Sequence, residues 1–162
     1  MKKLLICFCC FSIVQSGFTQ NKTDSLKNVL AATTNPIERF DLFSKIGEEY
    51  FSSGNNNLDS ASCLKMLQIA QQVNNDSLLA ISYNLVGNLF LFNIGDYSKS
   101  LDFFFKGIPL AQKTNDKRRL SSLYIDISIV YENLNNPDEQ IKYIRKIAKE
   151  TRQQKKKKLI GG

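Results

Sequence analysis

The sequence predicts an all-α protein in which antiparallel helical hairpins stack in chain order into a solenoid. The first observation behind this prediction is a short motif with a small residue near its start, which recurs at Gly47, Gly87 and Ser128, 40 and then 41 residues apart. The second is that apolar residues between these copies recur at intervals of three and four, as in amphipathic helices. Hairpins of this length cannot bury an apolar face alone and must be stacked. About three repeats plus a leading half-repeat are therefore expected.

The individual helices are predicted from this periodicity and from the turn residues. Asn35-Pro36 ends the first helix, because proline disfavours helix in the residue before it. Residues 53–57 are predicted to form a turn. Asn136 caps the last helix, with Pro137 at the first helical position and Asp138-Glu139 facing the positive helix end. The predicted helices span residues 24–33, 37–53, 58–74, 77–93, 97–114, 117–134 and the segment from 137 onward.

The residues inside the hairpins carry a family resemblance. In the second repeat the first helix holds an aromatic, a small residue and a second aromatic, and Gly-Asp-Tyr then precedes a small residue in the second helix. This set is Tyr83, Gly87, Phe90, Gly95-Asp96-Tyr97, Ser100, Phe104 and Gly107, and its counterpart in the third repeat is Tyr124, Ile127, Ser128, Tyr131, Ile144 and Ile147. Over residues 37–153 the chain resembles the tetratricopeptide repeat (TPR) family, with residues 20–36 as a leading half-repeat. The resemblance implies a right-handed TPR-like solenoid with repeats of ~40 residues.

The resemblance also implies how the hairpins pack. A glycine or serine in the first helix lets its partner helix approach closely, and aromatic rings fill the space between hairpins. Two departures from the family pattern carry structural expectations: one extra residue lies between Gly87 and Gly95, and Pro109 is predicted to kink its helix after Gly107. The three consecutive rings of Phe103–Phe105 cannot all face one core, so at least one is expected to pack on a neighbouring hairpin or to lie exposed.

The N-terminus predicts export. Met1-Lys2-Lys3 is a short basic head, residues 4–14 are almost entirely apolar, and small or polar residues follow. A helix of this apolar length rises only about 16 Å, which is too short for a hydrocarbon core of roughly 30 Å. Residues 1–19 are therefore interpreted as a signal peptide, cleaved after Thr19 or after Ser16, with a buried N-terminal helix as the alternative. The expected location is periplasmic or associated with the cell envelope.

The basic residues and the cysteines are unevenly distributed along the chain. The formal net charge is +7, and residues 142–158 hold nine Lys or Arg against one Glu. The mature chain outside residues 142–158 is thus mildly acidic, and residues 154–162 are predicted to be a disordered basic tail. Three of the four cysteines lie in the predicted signal peptide. The remaining one, Cys63, is expected to be a small buried hydrophobe without a disulfide partner in the chain.

The sequence shows no catalytic constellation. It has no histidine and no tryptophan, and it lacks a glycine-rich phosphate loop and a Gly-x-Ser-x-Gly elbow. The neighbouring carboxylates Glu48-Glu49 and Asp138-Glu139 are interpreted as a solvated face and a helix start, not as an acid–base pair. We expect no enzyme activity, no cofactor and no metal.

The resemblance implies a binding groove along the first helix of each hairpin, with a protein or peptide as the partner. Asn84 and Asn88 lie one turn apart, so both amides are expected to face one extended peptide backbone, unless they only face solvent. Ser44, Glu48 and Ser122 stand where some family members carry a basic clamp for a carboxylate, which favours a basic or neutral peptide. The predicted concave-face residues are Asp41, Ser44, Glu48, Phe51, Ile81, Asn84, Asn88, Leu91, Ser122, Ile125, Ile129 and Glu132.

These expectations describe a non-catalytic protein- or peptide-binding scaffold, or a sensory module, in the cell envelope. Exported TPR arrays of this stretched period are similar to the sensory region of bacterial membrane-bound signalling kinases and regulators. The alternatives are a stand-alone periplasmic assembly adaptor, a truncated fragment of a receptor kinase, and a small helical ligand-binding protein or enzyme. Nucleic acid is not expected as a partner. Membrane contact is expected only through the signal peptide or, weakly, through Lys155–Lys158.

Overall fold

The computed structural model describes residues 22–52 and 60–160 of the chain. These residues form helices and short turns and contain no strand, so the predicted all-α class is confirmed for the described part of the chain. The predicted signal peptide and the predicted turn at residues 53–57 lie outside the described residues.

The helices follow the predicted order and begin and end within a few residues of the predicted bounds. Their contacts divide the chain into two compact units, Met1–Ser62 and Cys63–Gly162. The helices are α1 (residues 22–32), α2 (Pro36–Ser52), α3 (Ser60–Gln72), α4 (Asp76–Asn88), which continues into a π-helical turn (Leu89–Ile94), α5 (Tyr97–Lys113), α6 (Lys117–Asn133) and α7 (Pro137–Ile160).

In the first unit, α1 and α2 run antiparallel. The guanidinium of Arg39, near the start of α2, donates to the carbonyl oxygens of Leu30 (3.0 Å) and Thr33 (2.9 Å) at the end of α1. At the opposite end, Lys22 of α1 forms an ion pair with Glu49 of α2. Arg39 thereby satisfies carbonyl groups that a helix C-terminus leaves without an intrahelical donor.

In the second unit α5 packs on both α4 and α6, α6 packs on α7, and α4 also packs on α6. The pairs α4/α5 and α6/α7 are antiparallel hairpins. Asp76 at the start of α4 forms an ion pair with Lys113 at the end of α5, and Lys117 at the start of α6 lies 3.2 Å from Glu150 of α7. One apolar core joins the two hairpins. Its buried members include Ala80, Leu91, Phe104, Ala111, Leu120, Leu123, Ile127 and Val130.

The turns of the second unit share one construction. A residue in the left-handed conformation ends the helix, and the Asn or Asp that comes next caps the following helix with its side-chain oxygen. Glycine and asparagine adopt the left-handed conformation at low cost, and an Asx side chain satisfies the free N–H groups of a helix start. The predicted cap at Asn136 is confirmed, because it accepts from the Glu139 amide at 3.2 Å. The four turn pairs are Asn74-Asn75, Gly95-Asp96, Asn115-Asp116 and Asn135-Asn136.

The two hairpins of the second unit also contain the same cluster of three aromatic rings. In each cluster, a ring from the second helix stacks on the later aromatic of the first helix and is tilted towards the earlier one. The stacked pairs have centroid separations of 5.4 and 5.8 Å with interplanar angles of 8° and 19°, and the tilted pairs are 6.2 and 5.9 Å apart. The clusters are Tyr83, Phe90 and Phe103 in α4/α5, and Tyr124, Tyr131 and Tyr143 in α6/α7.

A lysine covers the central ring of each cluster. Lys106 Nζ lies 5.1 Å from the centroid of the Phe103 ring, and Lys146 Nζ lies 4.4 Å from that of Tyr143. Both distances are within the range of a cation–π contact. The two lysines are 40 residues apart, as are Phe103 and Tyr143. The second hairpin therefore repeats the first in its rings, its cation and its turn.

Gly87 lies where the helices of the first of these hairpins meet. A Cβ built on Gly87 would come within 2.5 Å of Phe104 Cδ1 and closer still to Cε1, and the Ser100 hydroxyl donates to the Gly87 carbonyl at 3.0 Å. The predicted close approach therefore exists at this glycine. At Gly47 in α2, by contrast, no described atom comes within 4 Å of such a Cβ.

The π-helical turn accounts for the extra residue of the second repeat. Eight positions separate Gly87 from Gly95, whereas seven separate Ser128 from the equivalent turn residue Asn135. A single π turn is the usual way for a helix to hold one additional residue. At its end, the amides of Gly95 and Asp96 both donate to the carbonyl oxygen of Phe90, five and six residues back.

The three consecutive phenylalanines have three different environments. Phe104 is completely buried beside Gly87, Phe103 is half-buried in the ring cluster, and Phe105 is 42% exposed with its ring 6.5 Å from that of Tyr143 on α7. The prediction that at least one ring packs on a neighbouring hairpin or lies exposed is therefore confirmed. The α5 helix runs continuously through Pro109 from Tyr97 to Lys113.

The basic C-terminal segment differs from its prediction. Residues 154–160 continue α7 as helix, where a disordered tail was expected. Lys, Arg and Gln are good helix formers, and neither glycine nor proline interrupts the segment before Gly161. The charge run was interpreted as an unfolded end, but helix propensity extends α7 through it.

Candidate binding face between α4 and α6

The second unit has a mixed polar and apolar face where α4 lies beside α6. These are the first helices of the two repeated hairpins, and they run in the same direction, since Asn84 contacts Ser122 and Asn88 contacts Asp126. Four of the predicted concave-face residues come from α6, and four come from α4 and the π-helical turn that continues it. They are Ser122, Ile125, Ile129 and Glu132, and Ile81, Asn84, Asn88 and Leu91. We call the surface on this side of α4 and α6 the binding face.

A buried polar network joins the two helices beneath this face. The Asn84 amide nitrogen donates to Asp126 Oδ2 at 2.6 Å. The Asn84 oxygen accepts from Arg119 Nη1 at 2.9 Å and from the Ser122 hydroxyl at 3.2 Å. The Asn88 side chain bonds Asp126 as well. Buried hydrogen bonds of this kind fix the register of two helices, because breaking one leaves a polar group without a partner.

Asn84 therefore differs from its prediction. It is only 2% exposed, and both ends of its amide are bonded inside the chain. An amide in this position cannot turn to a peptide backbone without giving up bonds to Asp126 and Arg119. Its partners lie 35 and 42 residues away in the sequence, so local spacing did not reveal them.

Leu91 also differs from its prediction, and the π-helical turn gives the reason. Leu91 is 5% exposed and belongs to the apolar core, whereas the next residue, Phe92, is 60% exposed. One inserted residue rotates the chain by about 100° relative to an uninterrupted α-helix. Phe92 accordingly takes the exposed position that Glu132 occupies in α6.

The other predicted residues of this face remain accessible. Ile125 is 45% exposed, Glu132 is exposed, and the rest are partly exposed. Together with Phe92 they present aliphatic and aromatic surface beside one acid. The partly exposed members are Ile81, Asn88, Ser122 and Ile129.

The predicted residues of the first unit lie on α2. Asp41 and Glu48 are exposed and Ser44 is partly buried. The side chain of Phe51 lies outside the described part of the chain. These residues add acidic and polar surface to the first unit.

Burial changes the proton affinities of the network. Removal from water raises the pKa of the Asp126 carboxyl, and hydrogen bonds from Asn84 and Asn88 together with the charge of Arg119 offset only part of this. Burial likewise lowers the pKa of Arg119, against the opposing effect of Asp116 and Asp126. Asp126 and Arg119 compensate each other's charge, which is how a protein tolerates two ionic groups in a packed interface.

Sequence reasoning missed Arg119 and Asp126. A usable signal existed, because Asp126 is the only charged residue in the largely apolar run Leu123–Val130. A charged side chain on the buried face of a helix requires a partner. The sequence therefore indicates that Asp126 has a partner, although it does not identify Asn84 as that partner.

Metal ligands and acid–base groups are the residues that would indicate chemistry at this face. Within the described ranges, no group of three His, Cys, Asp or Glu residues is placed to hold a metal ion. The Asp126 carboxyl, whose pKa is raised by burial, is 8% exposed and bonded to α4. No protein-family model matches the chain, and no curated protein matches it.

The stretch Asp76–Ile94 is long and apolar enough to cross a membrane by length and composition. It covers α4 and the π-helical turn, which pack on α5 and α6 and contain the buried polar side chains of Ser82 and Asn84. Of its most apolar window, 39% is buried inside the structure.

Proposed function

We propose that this chain is an exported TPR-type repeat module that binds a protein or peptide through the first helices of its hairpins and has no catalysis of its own. One observation carries the proposal: α4/α5 and α6/α7 repeat the same three-ring cluster, covering lysine and capped turn about 40 residues apart. Helical repeats of this kind stack into extended surfaces whose common use is to bind other proteins.

The binding face defines the partner's chemistry. Ile125, Ile129 and Phe92 offer apolar contact, and Glu132 adds a negative charge at the same end of α6. Exposed apolar side chains set among polar ones are typical of interaction surfaces. The partner is therefore a peptide segment with apolar side chains and a neutral or basic character.

Affinity capture with matched variants tests this role. The full chain, an Ile125→Lys variant and a Leu134→Lys control would each be used to capture proteins from a cell-envelope extract. Ile125 and Leu134 have similar exposure, 45% and 47%, but Leu134 is the C-cap residue of α6, at the turn to α7, and is not one of the predicted face residues. A buried aliphatic contact is worth about 1.5–3 kcal/mol, so the Ile125 variant should lose about tenfold or more of the captured partner.

Two results would contradict the proposed face. One is capture that is equal for all three proteins, and the other is equal loss in both variants. The double replacement of Asn84 and Asn88 by Ala is not a suitable test, because Asn84 holds α4 and α6 together.

Export is a separate part of the proposal and rests on the pattern of residues 1–19. Expression of the full chain in a bacterium, followed by mass spectrometry of the periplasmic fraction, should detect a mature N-terminus after Thr19 or Ser16. An uncleaved chain retained in the cytoplasm would contradict this part and leave the binding face untouched.

A further inference from the structure

The outer side of α7 carries an apolar stripe whose counterpart in α5 is covered by a helix. In α5, the stripe belongs to the core cluster, which also contains Leu120, Leu123 and Ile127 of α6. Forty residues later, each matching position of α7 is exposed, with Ile141 at 44% and Ile144 at 47%. The α5 stripe is Leu101, Phe104, Ile108 and Ala111, and the α7 stripe is Ile141, Ile144, Ala148 and Thr151.

The opposite side of α7 is already occupied. Tyr143 is buried against Tyr131 and Tyr124 of α6, Ile147 packs against the same core, and Glu150 forms an ion pair with Lys117. The α7 stripe is therefore a second apolar face on a helix whose first face holds it to the protein. Its two isoleucines and its alanine provide the shape that helix packing uses in α5.

A row of basic residues flanks the stripe. Arg145, Lys149, Arg152 and Lys156 succeed one another at helical spacing, and all four are exposed. The acid Glu139 of α7 pairs with Lys142, and Glu150 pairs with Lys117, so neither neutralises this row. A partner covering the stripe therefore meets a line of positive charge.

This charge decides between the possible occupants. Two copies of α7 packed face to face would bring two basic rows together, and like charges at close range disfavour that pairing. A lipid surface would require bulky side chains such as Leu, Phe or Trp to enter the acyl region, whereas this stripe ends in Ala148 and Thr151. A helix with acidic residues beside an apolar stripe fits both the charge and the shape.

We propose that the outer face of α7 docks an amphipathic, acidic helix of a partner protein, in the position that α6 takes on α5. This surface is distinct from the binding face between α4 and α6 and goes beyond the proposed function. The mode is helix-on-helix packing, in which apolar side chains at helical spacing give affinity and the flanking charges select the partner.

Fluorescence anisotropy with two synthetic peptides tests the proposal. The probe is an amphipathic helix of about 21 residues with leucines along one stripe and glutamates along its flank, and the matched peptide has lysine in place of every glutamate. The full chain should bind the glutamate peptide at least about tenfold more tightly than the lysine peptide, with an affinity that falls as salt is added.

Two variants of the full chain locate the contact. The double variant Ile141→Gln/Ile144→Gln changes exposed side chains only and should weaken binding of the glutamate peptide about tenfold or more, because two apolar contacts are lost. The control Leu134→Gln makes the same kind of change at 47% exposure in the α6–α7 turn and should bind as the unchanged chain does. Circular dichroism would verify that each variant keeps its helix content.

Three outcomes would overturn the proposal. The first is equal binding of the two peptides, or no binding of either. The second is unchanged binding by the Ile141/Ile144 double variant. The third is that another occupant covers the face. Sedimentation would show this as self-association through the face, and anionic phosphatidylglycerol vesicles would show it by binding through the same isoleucines while the glutamate peptide does not bind. None of these outcomes bears on the Ile125 face, so failure here and failure of the proposed function remain distinguishable.

Discussion

Gly87 shows at the scale of one residue why the repeated motif contains a small side chain. Its missing Cβ leaves room for the Phe104 ring, which is completely buried against it. Gly47 occupies the same motif position in α2, yet its surroundings among the described residues are open. At Gly87 the missing side chain permits close packing, whereas at Gly47 it only weakens the helix. The sequence motif alone does not distinguish these two cases.

We predict opposite effects for alanine at these two sites. Gly87→Ala should lower the free energy of unfolding by about 1–3 kcal/mol, because Phe104 must move to admit the methyl group. Gly47→Ala should raise it by about 0.5–1 kcal/mol, because alanine is the better helix former. Urea titration followed by circular dichroism measures both. Equal effects of the same sign would contradict the close approach at Gly87.

Asp126 predicts a pH dependence of stability. Its pKa in the folded chain is raised by burial above the ordinary value of 3.8, so the folded state binds this proton more tightly than the unfolded state. The stability that it contributes is therefore present at low pH and is lost as the pH rises through the folded-state pKa. Relative to Asp126→Asn, the unchanged chain should gain stability on going from about pH 7 to about pH 4.5.

Urea unfolding of both proteins at the two pH values measures this difference. The matched control is Asp102→Asn, which removes the same charge from an exposed position of α5. A stability difference between the chain and Asp126→Asn that stays constant, or that changes in the opposite direction, would show that burial does not dominate at Asp126.

The π-helical turn shows what one extra residue does at the scale of a helix. The sequence reveals the insertion, because Gly95 comes eight residues after Gly87, whereas in the next repeat Asn135 comes seven residues after Ser128. It does not reveal whether a turn, a bulge or a shifted register absorbs the insertion. The structure holds it within Leu89–Ile94, with Leu91 turned inward and Phe92 outward.

We predict that deletion of Phe92 is tolerated better than deletion of Glu132, the residue in the matching exposed position of α6. Removing Phe92 returns the π turn to α-helical spacing and keeps the Gly95 turn in place. Removing Glu132 shortens a regular helix and rotates the residues after it by about 100°. Thermal unfolding compares the two, and an equal or larger loss of midpoint for the Phe92 deletion would contradict this explanation of the π turn.

Other features of the elements could be predicted to different degrees. The helix order and the cap at Asn136 result from local chemistry, because apolar spacing, proline and Asx residues act over a few positions. The helical course of residues 154–160 cannot be predicted from charge, because propensity and repulsion oppose each other there. Whether a segment forms a helix depends mostly on nearby residues. Where a basic helix ends depends instead on small opposing energies, the helix propensity of its residues and the repulsion between their charges.

At the scale of the whole molecule, helices α4 to α7 of the second unit are two versions of one hairpin joined by a core and a polar network. The sequence predicts the repetition from its motif spacing. The network of Asn84, Arg119 and Asp126 depends on residues 35 and 42 positions apart, and no local pattern specifies such pairs. The repeated hairpins leave two exposed surfaces, the Ile125 side of α6 and the Ile144 side of α7.

The main functional proposal is that a protein partner contacts the face between α4 and α6. Site-specific photo-crosslinking is its sharpest test, with a photoreactive phenylalanine in place of Ile125 and, as the control, in place of Leu134, both introduced into the full chain in bacterial cells. We predict a discrete protein adduct from position 125 and none of the same mass from position 134. No adduct from position 125, or the same adduct from both positions, would contradict the proposal.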